Sequence, residues 1–174
     1  MMVLGVAYPW SERKGLKDYI ALSEMLPDNI FIVLVGLNSE QQKTLPENII
    51  GMNVTQNQDE LVSLYNMASI VLNLSYAETF GLTTVEGLAC GVPGIVYNCT
   101  ASPELLSQDT GMIVEPGDIK GVYNAIMLIL KNKSNYMNSC RERAVCKFDK
   151  QSNFNKYVSL YGNLINNNDN LILE

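Results

Sequence analysis

Two glutamates, Glu78 and Glu86, stand eight residues apart around a short segment, Phe-Gly-Leu-Thr-Thr at residues 80–84. The threonines are expected at the start of a helix, where the first amide groups have no intrahelical acceptor and carry partial positive charge. A helix start of this kind binds an anion, most naturally a phosphate. Gly81 allows the backbone to approach such a ligand closely. The segment therefore predicts a phosphate site with a carboxylate on either side.

The two carboxylates need an explanation, because negative charges beside a phosphate repel it. They are tolerable if each accepts hydrogen bonds from neutral hydroxyl groups. A nucleoside diphosphate sugar fits this requirement, since it has a diphosphate in the middle and a polyol at each end. Glu86 also fits a local role, because Thr83-x-x-Glu86 is the pattern of a capping box in the first turn of a helix. Glu78 lies in the loop before the helix, where capping does not need it.

Composition argues against several classes of function. The chain has 174 residues, a net charge of −6 and no basic run, which argues against nucleic-acid binding. It contains no histidine, so it can form no His-based triad or metal site. Its four cysteines lack CxxC spacing and are expected to be reduced thiols: Cys90, Cys99, Cys140 and Cys146. With neither a membrane-spanning apolar run nor a signal peptide, the sequence predicts a cytosolic domain without a metal.

Short β-type runs alternate with helical stretches, a pattern that favours a parallel sheet with helices on both faces. Strands are expected at residues 2–7, 31–35, 48–51, 70–74, 94–97 and 112–114. Helices are expected at residues 15–26, 39–44, 59–68, 83–90, 103–106, 136–147 and 151–165, and Asp118 is expected to cap a further helix that runs to about residue 131. The predicted fold class is α/β, a Rossmann-like sheet. Ligands of such sheets bind beyond the carboxyl ends of the strands, and the loop after strand 70–74 carries Glu78.

Further motifs resemble those of a known family. The run E-T-F-G-L-T-T-V-E at 78–86 is followed by A-C-G-V-P, S-P-E-L-L and G-M-I-V-E-P-G-D, and is preceded by R-K-G at 13–15 and F-I-V-L-V-G at 31–36. Together they closely resemble the C-terminal domain of retaining glycosyltransferases of group 1, also called family 4, which have the GT-B fold. The resemblance spans nearly the whole chain. It implies that residues 1–174 form one nucleotide-sugar (donor) binding domain, the C-terminal half of a GT-B fold.

The resemblance implies a role for each charged residue. Glu78 would contact hydroxyl groups of the donor sugar near the reacting carbon, and Glu86 would bind the ribose of the nucleotide. Lys14, with Arg13, would neutralise the diphosphate as it leaves, which requires neither a metal nor another cofactor. The chain departs from the family at Pro9, where an arginine is common, and Arg13 is the candidate replacement.

The resemblance also implies a binding role for the backbone at the helix start. The amide groups of four consecutive residues would bind the sugar and the distal phosphate: Phe80, Gly81, Leu82 and Thr83. The reaction would transfer a sugar from a nucleoside diphosphate to an acceptor hydroxyl with retained anomeric configuration. Surface polysaccharide synthesis in a bacterium is the expected setting. The base, the sugar and the acceptor are not specified by the sequence.

In the GT-B arrangement an acceptor-binding domain precedes this one. The chain alone is therefore expected to bind nucleotide-sugar but to transfer sugar poorly or not at all. Any peripheral contact with a membrane would be made through that missing N-terminal domain.

The sequence alone leaves two alternatives open. A sugar-nucleotide epimerase of similar fold would need further acid–base residues, and the chain has no histidine to provide them. A stand-alone regulatory module that senses nucleotide-sugars would need only the binding site. A dinucleotide-binding oxidoreductase is disfavoured, because no GxGxxG follows the first strand.

Overall fold

The computed structural model describes residues 1–132 and 136–169, which are built around a six-stranded parallel β-sheet. The strands are β1 (Met2–Val6), β2 (Phe31–Val35), β3 (Ile49–Met52), β4 (Ile70–Asn73), β5 (Gly94–Tyr97) and β6 (Gly111–Val114). Central strands such as β4 are buried along their whole length, as expected for a parallel sheet covered on both faces. The predicted α/β fold class is confirmed.

Helices connect successive strands and follow the last one. They are α1 (Leu16–Ser23), α2 (Ser39–Lys43), α3 (Gln58–Met67), α4 (Leu82–Ala89), α5 (Ile119–Lys131), α6 (Met137–Phe148) and α7 (Lys150–Asp169), with 3₁₀ turns at Glu12–Lys14 and Ser102–Leu105. Asp118 caps α5 by accepting a hydrogen bond from the amide of Gly121 at 2.8 Å, as its position before the helical pattern predicts.

The strand order is β3-β2-β1-β4-β5-β6, so the chain winds outward from β1 in one direction and from β4 in the other. β1 and β4 are adjacent and parallel, with Val3 beside Ile70 and Gly5 beside Leu72. The strand order reverses between them. In doubly wound sheets this switch point opens a crevice at the carboxyl ends of the strands, where ligands bind.

Two layers of helices bury the two faces of the sheet. On one face α1 and α5 pack against the strands through Tyr19, Leu22, Val122, Ile126 and Ile129. On the other face α3, α4 and α6 pack through Leu64, Tyr65, Leu88, Cys140 and Ala144. Because α1 follows β1 on one face and α4 follows β4 on the other, the two connections diverge and leave the crevice between them.

Most helix boundaries differ by one or a few residues from the sequence prediction, and two of the differences lie next to the site. The helix expected at 15–26 starts at Leu16 and ends at Ser23, where a turn follows in which the amide of Met25 donates to the carbonyl oxygen of Leu22 at 3.0 Å. The helix expected to start at Thr83 starts at Leu82, with Gly81 as its N-cap residue. The second difference changes the role of Glu86, as described below.

The last helix, α7, exposes an apolar stripe. Its apolar side chains recur at spacings of three and four residues and therefore lie on one side of the helix. Each is more than half exposed: Phe154, Tyr157, Val158, Tyr161, Leu164 and Ile165. An exposed apolar stripe of this kind is a candidate surface for contact with a partner. None of the helices in the described parts of the chain is long and apolar enough to span a membrane.

Candidate active site

Three of the predicted site residues come together at the switch point of the sheet: Arg13, Lys14 and Glu78. The connection after β1 carries Arg13 and Lys14, and the loop after β4 carries Glu78. Gly15 makes the close approach of these two segments possible. It has φ 74°, and a Cβ atom there would lie 2.2 Å from the carbonyl oxygen of Leu74. Only glycine fits this position, so the R-K-G motif is explained by contact with the neighbouring loop.

Lys14 and Glu78 form an ion pair across the crevice. The Lys14 Nζ atom lies 2.5 Å from Glu78 Oε1, although 64 residues separate the two in the chain. Their side chains are only 16% and 12% exposed. The pairing compensates each charge for its partial removal from water and holds both side chains in one geometry. The structure thus brings together the lysine and the first glutamate of the predicted site.

Arg13 forms hydrogen bonds that link the connection after β1 to the loop after β4. Its guanidinium donates a hydrogen bond from Nη1 to the carbonyl oxygen of Ala77 at 2.6 Å. In return the amide of Tyr76 donates to the carbonyl oxygen of Arg13 at 2.8 Å. Arg13 is exposed and retains further N–H donors. It therefore lies beside the crevice and also fixes the position of the loop that carries Glu78.

The loop after β5 supports Glu78 from the other side. The backbone amide of Glu78 donates to Thr100 Oγ1 at 2.8 Å, and Cys99 Sγ donates to the carbonyl oxygen of Ser75 at 3.0 Å. Thr100 has φ 47°, a left-handed conformation that is unfavourable for a β-branched residue. Burial raises the pKa of the Cys99 thiol, which keeps it protonated as a donor. Glu78 is therefore held by contacts from two loops.

Asp18 connects α1 to this loop through two tyrosines. Its Oδ2 atom accepts hydrogen bonds from the hydroxyl groups of Tyr76 at 2.8 Å and Tyr97 at 2.7 Å. The two rings pack edge to face with their centres 5.4 Å apart. The hydrogen bond to Asp18 helps to raise the pKa of Tyr76, and burial followed by that bond raises the pKa of Tyr97. Both hydroxyl groups thus remain donors, and Asp18 anchors the start of the loop.

The start of α4 points into the crevice. Gly81 is its N-cap residue with φ 95°, and a glycine offers no side-chain acceptor to the first amide groups of the helix. A Cβ atom at Gly81 would lie 2.9 Å from Leu105 Cδ1, so a larger residue would push the turn away. Beneath the turn, buried Asn73 donates to Thr84 Oγ1 at 3.3 Å. The amides of Leu82 and Thr83 are therefore presented by a firmly supported turn.

The side chains of Phe80, Leu82 and Thr83 take different directions. The Phe80 ring packs edge to face on Phe148 at the end of α6, with the ring centres 5.8 Å apart. Leu82 is 65% exposed. Thr83 lines a cavity of about 140 Å³ at the carboxyl ends of β1 and β2. The other lining residues are Val6, Ala7, Tyr8, Val35, Gly36, Val54, Thr55 and Leu61. The backbone amides of residues 80–83 therefore remain the candidate ligand-binding element of this segment.

The capping-box interpretation of Glu86 is wrong. Since α4 starts at Leu82, Glu86 lies beyond the first turn and Thr83 is not the N-cap residue. Glu86 instead accepts a hydrogen bond from the hydroxyl group of Tyr65 on α3, with 2.8 Å between Tyr65 Oη and Glu86 Oε2. It follows Thr83 by three residues and lies on the same side of the helix. Its partly exposed carboxylate borders a second cavity of about 250 Å³ between α3 and α4.

The sequence did not identify the residues that support the site, among them Asp18, Tyr65 and Thr100. Tyr65 follows the helical spacing of α3, which indicates only a core residue. Asp18 resembles any charged residue in the first turn of a helix. No spacing rule links Tyr65 to Glu86, or Asp18 to its two tyrosines, because these contacts are made between distant parts of the chain. The left-handed conformation of Thr100 likewise has no sequence signal, since threonine rarely adopts it.

Other features of the described residues do not add to this site. Residues 1–132 and 136–169 contain no group of three or more Cys, Asp or Glu side chains arranged to hold a metal ion. Cavities of about 440 and 400 Å³ lie away from the crevice, lined around Pro93 and around Gln108. Trp10 is 5% exposed and donates from Nε1 to the carbonyl oxygen of Val35 at 2.8 Å, so it is a packing residue.

A family model described as "Glycosyl transferases group 1" matches residues 9–145 of the chain. Among curated proteins, an N-acetyl-alpha-D-glucosaminyl L-malate synthase from Bacillus anthracis is 32% identical over 117 residues, which cover 65% of this chain and 31% of that protein. A capsular polysaccharide biosynthesis glycosyltransferase from Staphylococcus aureus is 27% identical over 178 residues, which cover 94% of this chain and 46% of that protein. The chain thus spans less than half the length of these relatives.

Solved structures share the fold. A sucrose-phosphate synthase from Thermosynechococcus elongatus has a TM-score of 0.82 at 24% identity, over 94% of this chain and 45% of that one. An Anabaena protein in complex with UDP-glucose has a TM-score of 0.79 at 19% identity, over 92% of this chain and 48% of that one. The C-terminal domain of a group 1 glycosyl transferase from Francisella tularensis has a TM-score of 0.72 at 20% identity, over 86% of this chain and 87% of that one.

Proposed function

The chain belongs to the group 1 glycosyltransferases, and we propose that it is the donor-binding domain of a retaining, family 4 enzyme that transfers a sugar from a nucleoside diphosphate to an acceptor hydroxyl. One observation carries the proposal. Lys14 and Glu78 meet in the switch-point crevice, beside the loop that leads into α4, whose N-cap residue Gly81 leaves the first amides uncapped. A cation, a carboxylate and free amides are the groups that a diphosphate joined to a sugar requires.

The diphosphate is assigned to Lys14 and to the start of α4. The amides of residues 80–83 donate to the distal phosphate and the sugar, where the helix dipole favours negative charge. Lys14 neutralises the charge that develops as the nucleoside diphosphate leaves, and Arg13 adds its remaining donors. These side-chain cations replace a metal in the proposal. Binding of a nucleoside diphosphate is accordingly expected to be unaffected by EDTA.

The two glutamates are assigned to the two polyols of the donor. Glu78 lies against Lys14, so it contacts hydroxyl groups of the sugar next to the diphosphate. Glu86 lies about one helical turn after Thr83 on α4 and on the same side of the helix. Thr83 lines the cavity beyond β1 and β2. A nucleoside bound along that side would bring its ribose to Glu86. The Anabaena neighbour that contains UDP-glucose supports a donor of this class for the shared fold.

The reaction itself is assigned to a larger protein. The chain spans 45–48% of the sucrose-phosphate synthase and Anabaena structures, and it matches the Francisella C-terminal domain over most of both chains. We therefore place an acceptor-binding domain before it, and we assign any membrane-bound acceptor to that domain. The exposed stripe on α7 supports a partner surface of this kind. Purified chain alone is expected to bind the donor and to lack transfer at a normal enzymatic rate.

The cellular setting is proposed from the relatives. The Staphylococcus relative takes part in capsular polysaccharide biosynthesis, which supports a role in the synthesis of bacterial surface polysaccharide. The four cysteines form no disulfide, in keeping with a cytoplasmic location.

Thermal denaturation in the presence of UDP, GDP, ADP or NAD tests the proposal. A ligand that binds only the folded chain raises Tm, and we expect this for one nucleoside diphosphate and not for NAD. Lys14→Gln should reduce the rise. Lys17→Gln is the matched control, because Lys17 is exposed and pairs with Glu12 outside the crevice. An equal loss in both variants, or no rise with any nucleoside diphosphate, would contradict the proposal.

A further inference from the structure

Tyr65 connects the hydrophobic core to Glu86. Its ring is 1% exposed and belongs to the core cluster formed with Leu64, Ala68 and Val71. Its hydroxyl group emerges between α3 and α4 and donates to Glu86 Oε2, with 2.8 Å between the oxygen atoms. A tyrosine buried in this way has one orientation, because packing fixes both torsion angles of the side chain. The hydrogen-bond donor is therefore held rigidly.

The helix that carries Glu86, α4, is also held at a fixed distance from strand β4. Gly87, the next residue, packs directly on β4, and a Cβ atom there would lie 2.6 Å from Val71 Cγ2. Val71 belongs to the same core cluster as Tyr65. Glu86 and its hydrogen-bond donor Tyr65 are thus both positioned by packing against β4. An unrestrained glutamate on a helix surface would otherwise lose considerable side-chain freedom on binding a ligand.

We propose that Tyr65 is a positioning residue, which fixes the Glu86 carboxylate so that it accepts hydrogen bonds from the ribose hydroxyl groups of a nucleoside diphosphate. The hydroxyl of Tyr65 occupies Oε2, and Oε1 is left for the ligand. Burial, and then the nearby Glu86 charge, raise the pKa of Tyr65, so its hydroxyl remains a donor at physiological pH. The inference depends on the proposed donor site and adds the residue that orients the glutamate.

The consequence is a specific loss of ribose recognition when the hydroxyl is removed. Calorimetry on the chain would compare the nucleoside diphosphate that it binds with the 2′-deoxy and 3′-deoxy forms of the same compound. For the wild-type chain we expect at least one deoxy form to bind about tenfold more weakly, the usual effect of one hydrogen bond to a charged group. Tyr65→Phe should weaken binding of the parent compound and leave binding of that deoxy form nearly unchanged. The ratio of the two dissociation constants, deoxy form to parent compound, should therefore approach one.

Tyr19→Phe is the matched control. Tyr19 is equally buried, and its hydroxyl donates to the carbonyl oxygen of Leu72 at 2.7 Å on the opposite face of the sheet. This variant should lose stability but keep the wild-type ratio, because its hydroxyl does not contact Glu86. If Tyr65→Phe does not fold, Tyr65→Met removes the hydroxyl group while retaining an apolar side chain, and the same ratio is measured.

Each outcome decides between distinct conclusions. A wild-type ratio in the Tyr65 variant would show that the tyrosine only packs α3 against α4, and would overturn the inference. A wild-type chain that binds the nucleoside diphosphate without discriminating the deoxy forms would overturn the ribose role of Glu86 and leave the donor site standing. A wild-type chain that binds no nucleoside diphosphate would overturn both the inference and the proposed function.

Discussion

Lys14 Nζ lies 2.5 Å from Glu78 Oε1, at the one place in the sheet where the strand order reverses. The two residues come from the motifs R-K-G and E-T-F-G-L-T-T-V-E, which the sequence separates by more than sixty residues. Their meeting is produced by the parallel pairing of β1 with β4 and by the tight turn at Gly15. The ion pair is therefore a direct consequence of the fold and the basis of the predictions below.

The ion pair is expected to stabilise the folded chain. Lys14→Gln and Glu78→Gln should each lower the free energy of unfolding by about 1–3 kcal/mol, because each leaves the other charge partly buried without a partner. In the double variant the free energy of unfolding should fall by less than the sum of the decreases in the two single variants. Urea denaturation measures all three. The exposed pair Lys43–Glu40 is the control, since its coupling should be at most about 0.5 kcal/mol. Simple additivity at Lys14 and Glu78 would contradict the account.

The turn before α4 is expected to tolerate only glycine. Gly81→Ala should destabilise the chain by about 1–2 kcal/mol, because alanine is disfavoured at φ 95° and its Cβ atom would contact Leu105. It should also weaken nucleotide binding. Gly162→Ala in α7 is the control: its Cβ atom meets nothing within 4 Å, and alanine there should stabilise a helix interior. Thermal unfolding that ranks the two variants in the opposite order would argue against the structure of this turn.

Stability is expected to fall in alkaline solution. Burial raises the pKa values of Tyr19 and Tyr65 above the ordinary 10.0. A group whose pKa is higher in the folded state contributes stability that is fully present below its unfolded pKa and is lost as the pH rises. Above pH 10 the free energy of unfolding should fall by about 1.4 kcal/mol per pH unit for each such tyrosine. Urea denaturation from pH 8 to 11 measures the slope, which Tyr19→Phe should reduce. An unchanged slope in that variant would count against this cause.

The two glutamates are expected to act on different parts of the donor. Glu86→Ala should weaken binding of the nucleoside diphosphate and of its sugar form alike, by roughly 1–3 kcal/mol. Glu78→Ala should spare the bare nucleoside diphosphate and weaken only the form that carries a sugar. Calorimetric titration of both ligands into both variants provides the comparison, with Glu40→Ala as an exposed control. Equal weakening of the bare nucleoside diphosphate by both variants would show that this division of roles is wrong.

The sequence predicted the main elements of the fold because each carries a local signal. The FIVLV run of β2 and the helical spacing in α3 depend on periodicity and composition alone. The family motifs predicted that Lys14 and Glu78 belong to one donor site, but they did not predict the ion pair between the two side chains. The hydrogen bond from Tyr65 to Glu86 could not be predicted either, because it depends on the spacing between α3 and α4 that Gly87 sets. The start of α4 was misplaced by one residue, since glycine and threonine are both acceptable N-cap residues.

The most direct test of the donor site is to map it by NMR. The chain, labelled with ¹⁵N, would be titrated with UDP, GDP and ADP while the backbone amide signals are followed. We expect one nucleoside diphosphate to bind, with the largest shifts at the amides of Gly15, Gly81, Leu82 and Thr83. Shifts confined to residues outside the crevice, such as those around Pro93 or Gln108, would contradict the account, as would the absence of shifts with all three compounds.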